Sequence, residues 1–255
     1  MTGFEVKITN DEEEIRAAQK LRFDVFNREL RRGLQASYDL SLDIDPFDSV
    51  CDHLLARDTN TGRVVGTYRL LLGSNAGRNF GFYSENEFDL SNIKSLDGEL
   101  LELGRSCVHR EYRDRRVLDA MWQAIAQYVR DHGVRYLFGC ASLYSTDPGD
   151  VSELFSVIKR RHYAPDRFRV LPVPEKLFRN LIETLKPKNG SKLLLRLPGL
   201  INGYFKLGAL VCGPPALDCD FGSTDLFLLL DIRKLNDANR ERFRFSEAKS
   251  EQCAL

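Results

Sequence analysis

Seven consecutive residues, Glu102-Leu103-Gly104-Arg105-Ser106-Cys107-Val108, set a carboxylate, a guanidinium, a hydroxyl and a thiol into an otherwise apolar stretch. If the stretch is a strand, alternate side chains share a face, so Glu102 and Ser106 lie together. Arg105 joins them only where the strand bulges, and Gly104 is where a bulge costs least. A bulge also splays the strand and frees backbone N–H groups. Such groups can hold a carbonyl oxygen as it becomes an oxyanion, one donor being worth about 3 kcal/mol. An ordinary strand carrying a surface Glu–Arg pair has the same spacing, so the pattern alone leaves both open.

A second group is Asp43, Asp45 and Asp48. Three acids within six residues suit an alkylammonium ligand, and a solvated acidic loop has the same appearance. They lack the glycine and the distal glutamate of a calcium loop. Arg22 and Arg69 would either balance these acids or hold the carboxylate of an amino acid. Cys107 has no His or acid motif beside it, so a packed strand cysteine is expected rather than a nucleophile. The six cysteines form no CxxC pair and the four histidines do not cluster with them, so no metal site is expected.

These residues need elements to position them. Asn10 and Glu13 have capping-box spacing, and Ile15, Ala18, Leu21, Val25 and Phe26 follow with helical period up to Gly33. A hairpin is predicted from 53–57 to 64–70 through the turn Asp58–Gly62. The reactive stretch ends a strand from about Leu100 to Val108. A helix from about 114 to 132 follows, with Val117, Leu118, Met121, Trp122, Ile125 and Val129 on one face. A strand over 134–141, a helix over 150–160 and a last strand over 227–232 complete a mixed α/β sheet.

Composition sets outer limits. The chain of 255 residues has no net charge, 43% hydrophobic and 29% charged residues, and no apolar run long enough to span a bilayer. Charge is uneven: 155–196 holds eleven Lys/Arg against three Asp/Glu, which suits an anionic partner or a solvated basic face. The absence of a leader-like opening predicts reduced thiols in a cytoplasmic setting. Leu193 to Cys212 is apolar but broken by Arg196, Pro198 and Lys206. It predicts either a segment lying on a membrane surface or one packed on the core.

Four motifs occur in one order: Leu21-Arg22-Phe23-Asp24-Val25-Phe26, Asp43-Ile44-Asp45-Pro46-Phe47-Asp48, Tyr68-Arg69-Leu70 and Glu102-Leu103-Gly104-Arg105. Together they resemble the N-acyl-homoserine-lactone synthases, a branch of the GNAT-like fold. Over nearly the whole chain the sequence more closely resembles the ornithine-lipid N-acyltransferases. That likeness adds Cys51-Asp52-His53-Leu54, Gly81-Phe82-Tyr83-Ser84-Glu85, Gly203 to Ala209, and Asp220 to Asp225. The resemblance implies a GNAT-like α/β core over 1–163, with 164–255 as a C-terminal elaboration that continues the sheet. It implies transfer of a (3-hydroxy)fatty acyl group from an acyl carrier protein thioester to the α-amine of an amino acid, ornithine foremost, in lyso-aminolipid synthesis.

Roles follow as expectations. An alkylammonium acceptor of pKa about 8–10 must lose a proton before it attacks. Glu102 is the first candidate base and Asp48 the second, with Arg105 beside them. Arg22, Phe26, Asp43, Asp45 and Arg69 would bind the acceptor, and the backbone at Ser106, Cys107 and Val108 the thioester oxygen. The glycine turn with which acetyl-CoA enzymes of this fold cradle pyrophosphate is replaced by Arg113-Asp114-Arg115-Arg116-Val117-Leu118. Arg113, Arg115 and Arg116 suit instead the single phosphate and acidic surface of a carrier protein. No resident cofactor, metal or nucleic-acid partner is expected. The acyl-phosphopantetheine is a co-substrate, and the site of action is the cytoplasm, with attachment to the inner membrane face as one option. An S-adenosylmethionine-using signal synthase and a lipid-surface protein without activity are the alternative readings.

Overall fold

The computed structural model describes residues 3–182 and 193–245. Ten strands occur in these residues: β1 Phe4–Thr9, β2 Asp52–Asp58, β3 Val64–Leu72, β4 Phe88–Asp89, β5 Glu99–Val108, β6 Val134–Leu143, β7 Leu171–Pro172, β8 Leu210–Val211, β9 Ala216–Asp218 and β10 Ser223–Asp231. The main sheet runs β1-β2-β3-β5-β6-β10-β8, with β9 also on β10, while β4 and β7 make a separate pair. Every neighbour in the main sheet is antiparallel except β5 and β6, which are parallel.

Apart from single turns, the helices of the described residues are α1 Glu12–Phe23, α2 Arg115–Asp131, α3 Pro148–His162, α4 Gly199–Leu207 and α5 Asp237–Phe243. The cap of α1 is Asp11, whose side chain accepts from the amide of Glu14, one residue beyond the expected Asn10. α1 does not continue to Gly33 as a regular helix. It widens into a π-helical turn over Asp24–Glu29, which shifts the phase of the side chains that follow. α2 lays Val117, Met121, Trp122, Ile125 and Val129 against one face of the sheet, beside Leu54, Tyr68, Leu103 and Leu137. On the opposite face Phe82, Phe88, Phe138, Phe168 and Phe227 pack together. Each fully buried side chain of this size contributes about 1.5–3 kcal/mol of transfer free energy.

Two irregularities of β5 shape the site. First, its parallel ladder with β6 covers only Glu99–Glu102 against Val134–Phe138, after which the strands part. They last touch at Gly139, where a Cβ would stand 2.3 Å from the carbonyl oxygen of Leu103, so only glycine permits the approach. Second, Thr67 pairs with Cys107 and Arg69 with Gly104, which leaves Arg105 and Ser106 opposite Tyr68 alone. This is the bulge expected at Gly104, displaced by one residue: Arg105 adopts the left-handed φ of 48°.

The apolar stretch 193–212 turns inward. Leu193, Leu197, Ile201, Phe205 and Val211 are buried against α3 and β10, and the Phe205 ring stacks on His162 at 4.0 Å. Core packing therefore takes the apolar face that a membrane-surface segment would present to lipid. Lys186, Lys188 and Lys192, which just precede this stretch and would add to its attraction to an anionic surface, lie outside the described residues. No helix of the described residues is long and apolar enough to cross a membrane.

Candidate active site

Where β5 and β6 separate, the wedge between them opens into a cavity of about 150 Å³. Glu102 stands at its base, 4% exposed. The carboxylate is cradled by a single turn, Tyr83–Asn86. The Tyr83 amide donates to Oε2 at 2.8 Å and the Ser84 amide to Oε1 at 2.8 Å, and the Ser84 hydroxyl donates to Oε1 as well. Burial pushes the carboxyl above the ordinary glutamate value, and the donors of Ser84 and Tyr83 pull it only part of the way back. A carboxylate has about four acceptor positions, so three donors leave room for one proton from a ligand.

Beside Glu102, three arginines and three aspartates form a closed and neutral network. Arg22 grips Asp48 with two parallel bonds, Nη1 to Oδ1 at 2.9 Å and Nη2 to Oδ2 at 2.8 Å. Its Nε lies 2.8 Å from Asp43 Oδ2, and its Nη2 also donates to the Asp43 carbonyl. Arg69 Nη1 lies 2.5 Å from Asp45 Oδ1 and 3.2 Å from Asp48 Oδ1. Arg105 closes the ring with Nε 3.2 Å from Asp43 Oδ2 and Nη2 2.9 Å from Asp45 Oδ2. The Asp45 side chain also caps the turn Pro46–Ser49, accepting from the amide of Phe47.

This network revises three expectations. Asp43, Asp45 and Asp48 already hold guanidinium groups, so they are not a free grip for a ligand's ammonium. Asp48 is also a poor base. Burial alone would raise its pKa, but Arg22 and Arg69 hold it well below the usual carboxylate range. Arg22 is fully buried, away from the cavity lining, so its partner is Asp48 rather than an acceptor carboxylate. Phe26, Arg69, Arg105 and Ser106 do line the cavity. Phe26 comes from the π-helical turn, and the guanidinium of Arg105 lies 4.9 Å from the Tyr83 ring centre.

Cys107 points the other way, packed with Leu21 and Val25, its thiol pushed up to about 12 by burial. Only its backbone remains available to a ligand. Among the described residues, no strand pairs with the β6 side of β5 beyond Glu102. Arg113 donates to the Val108 carbonyl at 3.0 Å and holds Glu29 through both terminal nitrogens, at 2.6 and 2.9 Å. Asp114 caps α2 by accepting from the Arg116 amide at 3.0 Å, and Arg113, Arg115 and Arg116 are exposed around that end.

Residues that the sequence reading left without a role also line the cavity. Tyr204 of α4 stands 3.4 Å from the Tyr68 hydroxyl. Asp218 and Asp225 enter from β9 and β10. The motifs 81–85, 203–209 and 220–225 contained or adjoined them, but nothing in their spacing says that they face Glu102.

The geometry can be set beside known proteins. The L-ornithine N(alpha)-acyltransferase of Brucella abortus (strain 2308) is 36% identical over 245 residues, covering 92% of this chain and 86% of its own. The chain belongs to the L-ornithine N(alpha)-acyltransferase family. The family member of Rhodobacter capsulatus is 34% identical, with 94% of each chain covered. Residues 21–123 match the acetyltransferase (GNAT) domain. The family's fold is shared with the acyl-homoserine lactone synthase LasI, at a TM-score of 0.53 and 14% identity over 95% of both chains. It is shared too with FeeM, an N-acyl amino acid synthase from uncultured soil microbes, at a TM-score of 0.50 and 11% identity over 92% of this chain and 93% of that one. The chain is thus an acyltransferase of GNAT-like fold, as its motifs implied.

Proposed function

We propose that this acyltransferase moves a fatty acyl group from an acyl carrier protein thioester to the α-amine of ornithine, in the synthesis of a lyso-aminolipid. The observation that carries the reading is Glu102: a buried carboxylate of raised pKa, held by three donors at the base of the wedge, with one acceptor position free. The relatives are named for ornithine, which supplies the acceptor.

Glu102 takes a proton from the α-ammonium. The freed amine attacks the thioester carbon, and the carbonyl oxygen becomes an oxyanion held by backbone N–H groups of β5 near the bulge. When the tetrahedral intermediate collapses, the C–S bond breaks, the C–N bond remains, and the thiolate leaves to take up a proton. Amide, thiol and one proton result from ammonium and thioester, with no covalent bond to the enzyme. Arg105 and Arg69 hold their places through the aspartates and fix Tyr83 over the site.

The carrier protein is favoured as donor by the end of α2. Asp114 already caps that helix with a carboxylate, which opposes a pyrophosphate at the same amides. The exposed Arg115 and Arg116 suit an acidic protein surface. The test is purified protein incubated with acyl carrier thioester and a panel of amino acids. Thiol release with ornithine, with Nα-acylornithine seen by mass spectrometry, is expected. Release with S-adenosylmethionine instead, or with no amine at all, overturns the reading.

A further inference from the structure

Opposite Glu102 the cavity meets a second buried acidic group. Glu87, Asp218 and Asp225 each bring a carboxylate oxygen within 4.8 Å of the others. Their exposures are 3%, 5% and 5%. Three like charges at this depth repel each other and lose their hydration, so such a cluster either takes up protons or needs a countercharge. Among the described residues the cation touching it is Lys176, whose Nζ lies 3.4 Å from Asp218 Oδ1. Glu87 Oε2 is buried and has no hydrogen-bond partner. Burial, with the neighbouring acids, pushes Glu87 and Asp225 upward, the sign of a site short of positive charge.

We propose that Glu87, Asp218 and Asp225 bind the side-chain ammonium of the acceptor and thereby select a basic amino acid. This rests on the transferase reading above and names the residues that give it specificity. Three observations lead to it. Asp218 and Asp225 line the same cavity as Glu102. The turn Tyr83–Asn86 that cradles Glu102 leads directly into Glu87, so one short segment fixes both acidic sites. Cys140, whose thiol lies 3.3 Å from the Ser84 hydroxyl, fills the wall between them. An alkylammonium has three donors, and three carboxylates offer it one acceptor each. Lys176 shows that a primary ammonium is already accepted at the rim of the cluster. A diamino acid can then present its α-amine to Glu102 and its distal ammonium to the triad.

The experiment compares ornithine with norvaline, the same carbon chain without the distal ammonium, in wild type, D225N and E87Q. Wild type is expected to prefer ornithine, and each variant to lose about 10- to 100-fold of that preference in kcat/KM. Both substitutions relieve repulsion and are expected to keep the melting temperature. Collapse of the fold in both assigns the triad to the core and overturns the proposal. So does an unchanged preference in the variants, or none in wild type. If wild type acylates no amino acid, the transferase reading fails, and binding decides the triad separately. Ornithine raising the melting temperature of wild type but not of D225N supports it, and no rise in wild type overturns it. A larger rise with millimolar Mg²⁺ or Ca²⁺ than with ornithine overturns it in favour of a metal site.

Discussion

Arg105 reaches across 60 positions of sequence to Asp45, 2.9 Å away, while its own backbone sits at a φ of 48°. The ion pair and the left-handed backbone are one device: the bulge turns the side chain of Arg105 to the acidic loop, and the loop holds the bulge. Arg105→Ala should therefore cost about 3–5 kcal/mol, the usual result of leaving a buried carboxylate without its partner. Chemical denaturation measures it, and a loss below about 1 kcal/mol would show that the network is dispensable.

Glu102→Gln should keep the fold, since the amide oxygen can still accept from the Ser84 amide and hydroxyl, while its NH2 faces the Tyr83 amide and loses that one bond. Turnover should fall about 100- to 10,000-fold, the range of a lost general base. Retention of more than half the wild-type rate would remove Glu102 from that role.

The base must be deprotonated to act, and burial raises the carboxyl of Glu102. The rate should consequently fall on the acid side with an apparent pKa above the ordinary glutamate value of 4.5. An acid limb at or below that value, measured at saturating donor, would mean a different titrating group.

Donor choice is checked by rate against salt. Transfer from carrier protein should weaken steeply as ionic strength rises, because exposed charges more than about 10 Å apart are screened at 0.1 M. R115E combined with R116E should raise KM for the carrier at least tenfold with little change in kcat. Equal efficiency with acyl-CoA, insensitive to salt, would exclude the carrier as the preferred donor.

The inward face of 193–212 separates packing from lipid contact. Phe205→Ser should destabilise the fold by about 3–5 kcal/mol, as aromatic truncations in cores do, whereas Leu195→Ser, at 84% exposure, should leave the melting temperature unchanged. Flotation with anionic vesicles then reads membrane binding independently. Wild type that floats, together with a stable F205S that does not, would return this segment to the lipid surface.

Local pattern determined a good deal of this protein. The period of α2, the hairpin of β2 and β3, and the weak point of β5 follow from residues within a few positions of one another, and short-range sterics govern them. Residue types likewise marked Glu102, the three aspartates and the arginines, because an acid inside an apolar strand and clustered acids in one loop each need a reason. Partnership was another matter. Arg22 meets Asp48 across 26 positions, and Ser84 meets Glu102 across 18. Such pairs form only after the sheet has brought β3, β5 and the acidic loop together. Folding made the aspartates a neutral brace rather than an ammonium grip, and buried the apolar face of 193–212. It also gathered Glu87 from the residue after the Tyr83–Asn86 turn with Asp218 of β9 and Asp225 of β10. Electrostatic and hydrophobic free energies depend on distance and burial in three dimensions, and neither is a property of spacing along the chain.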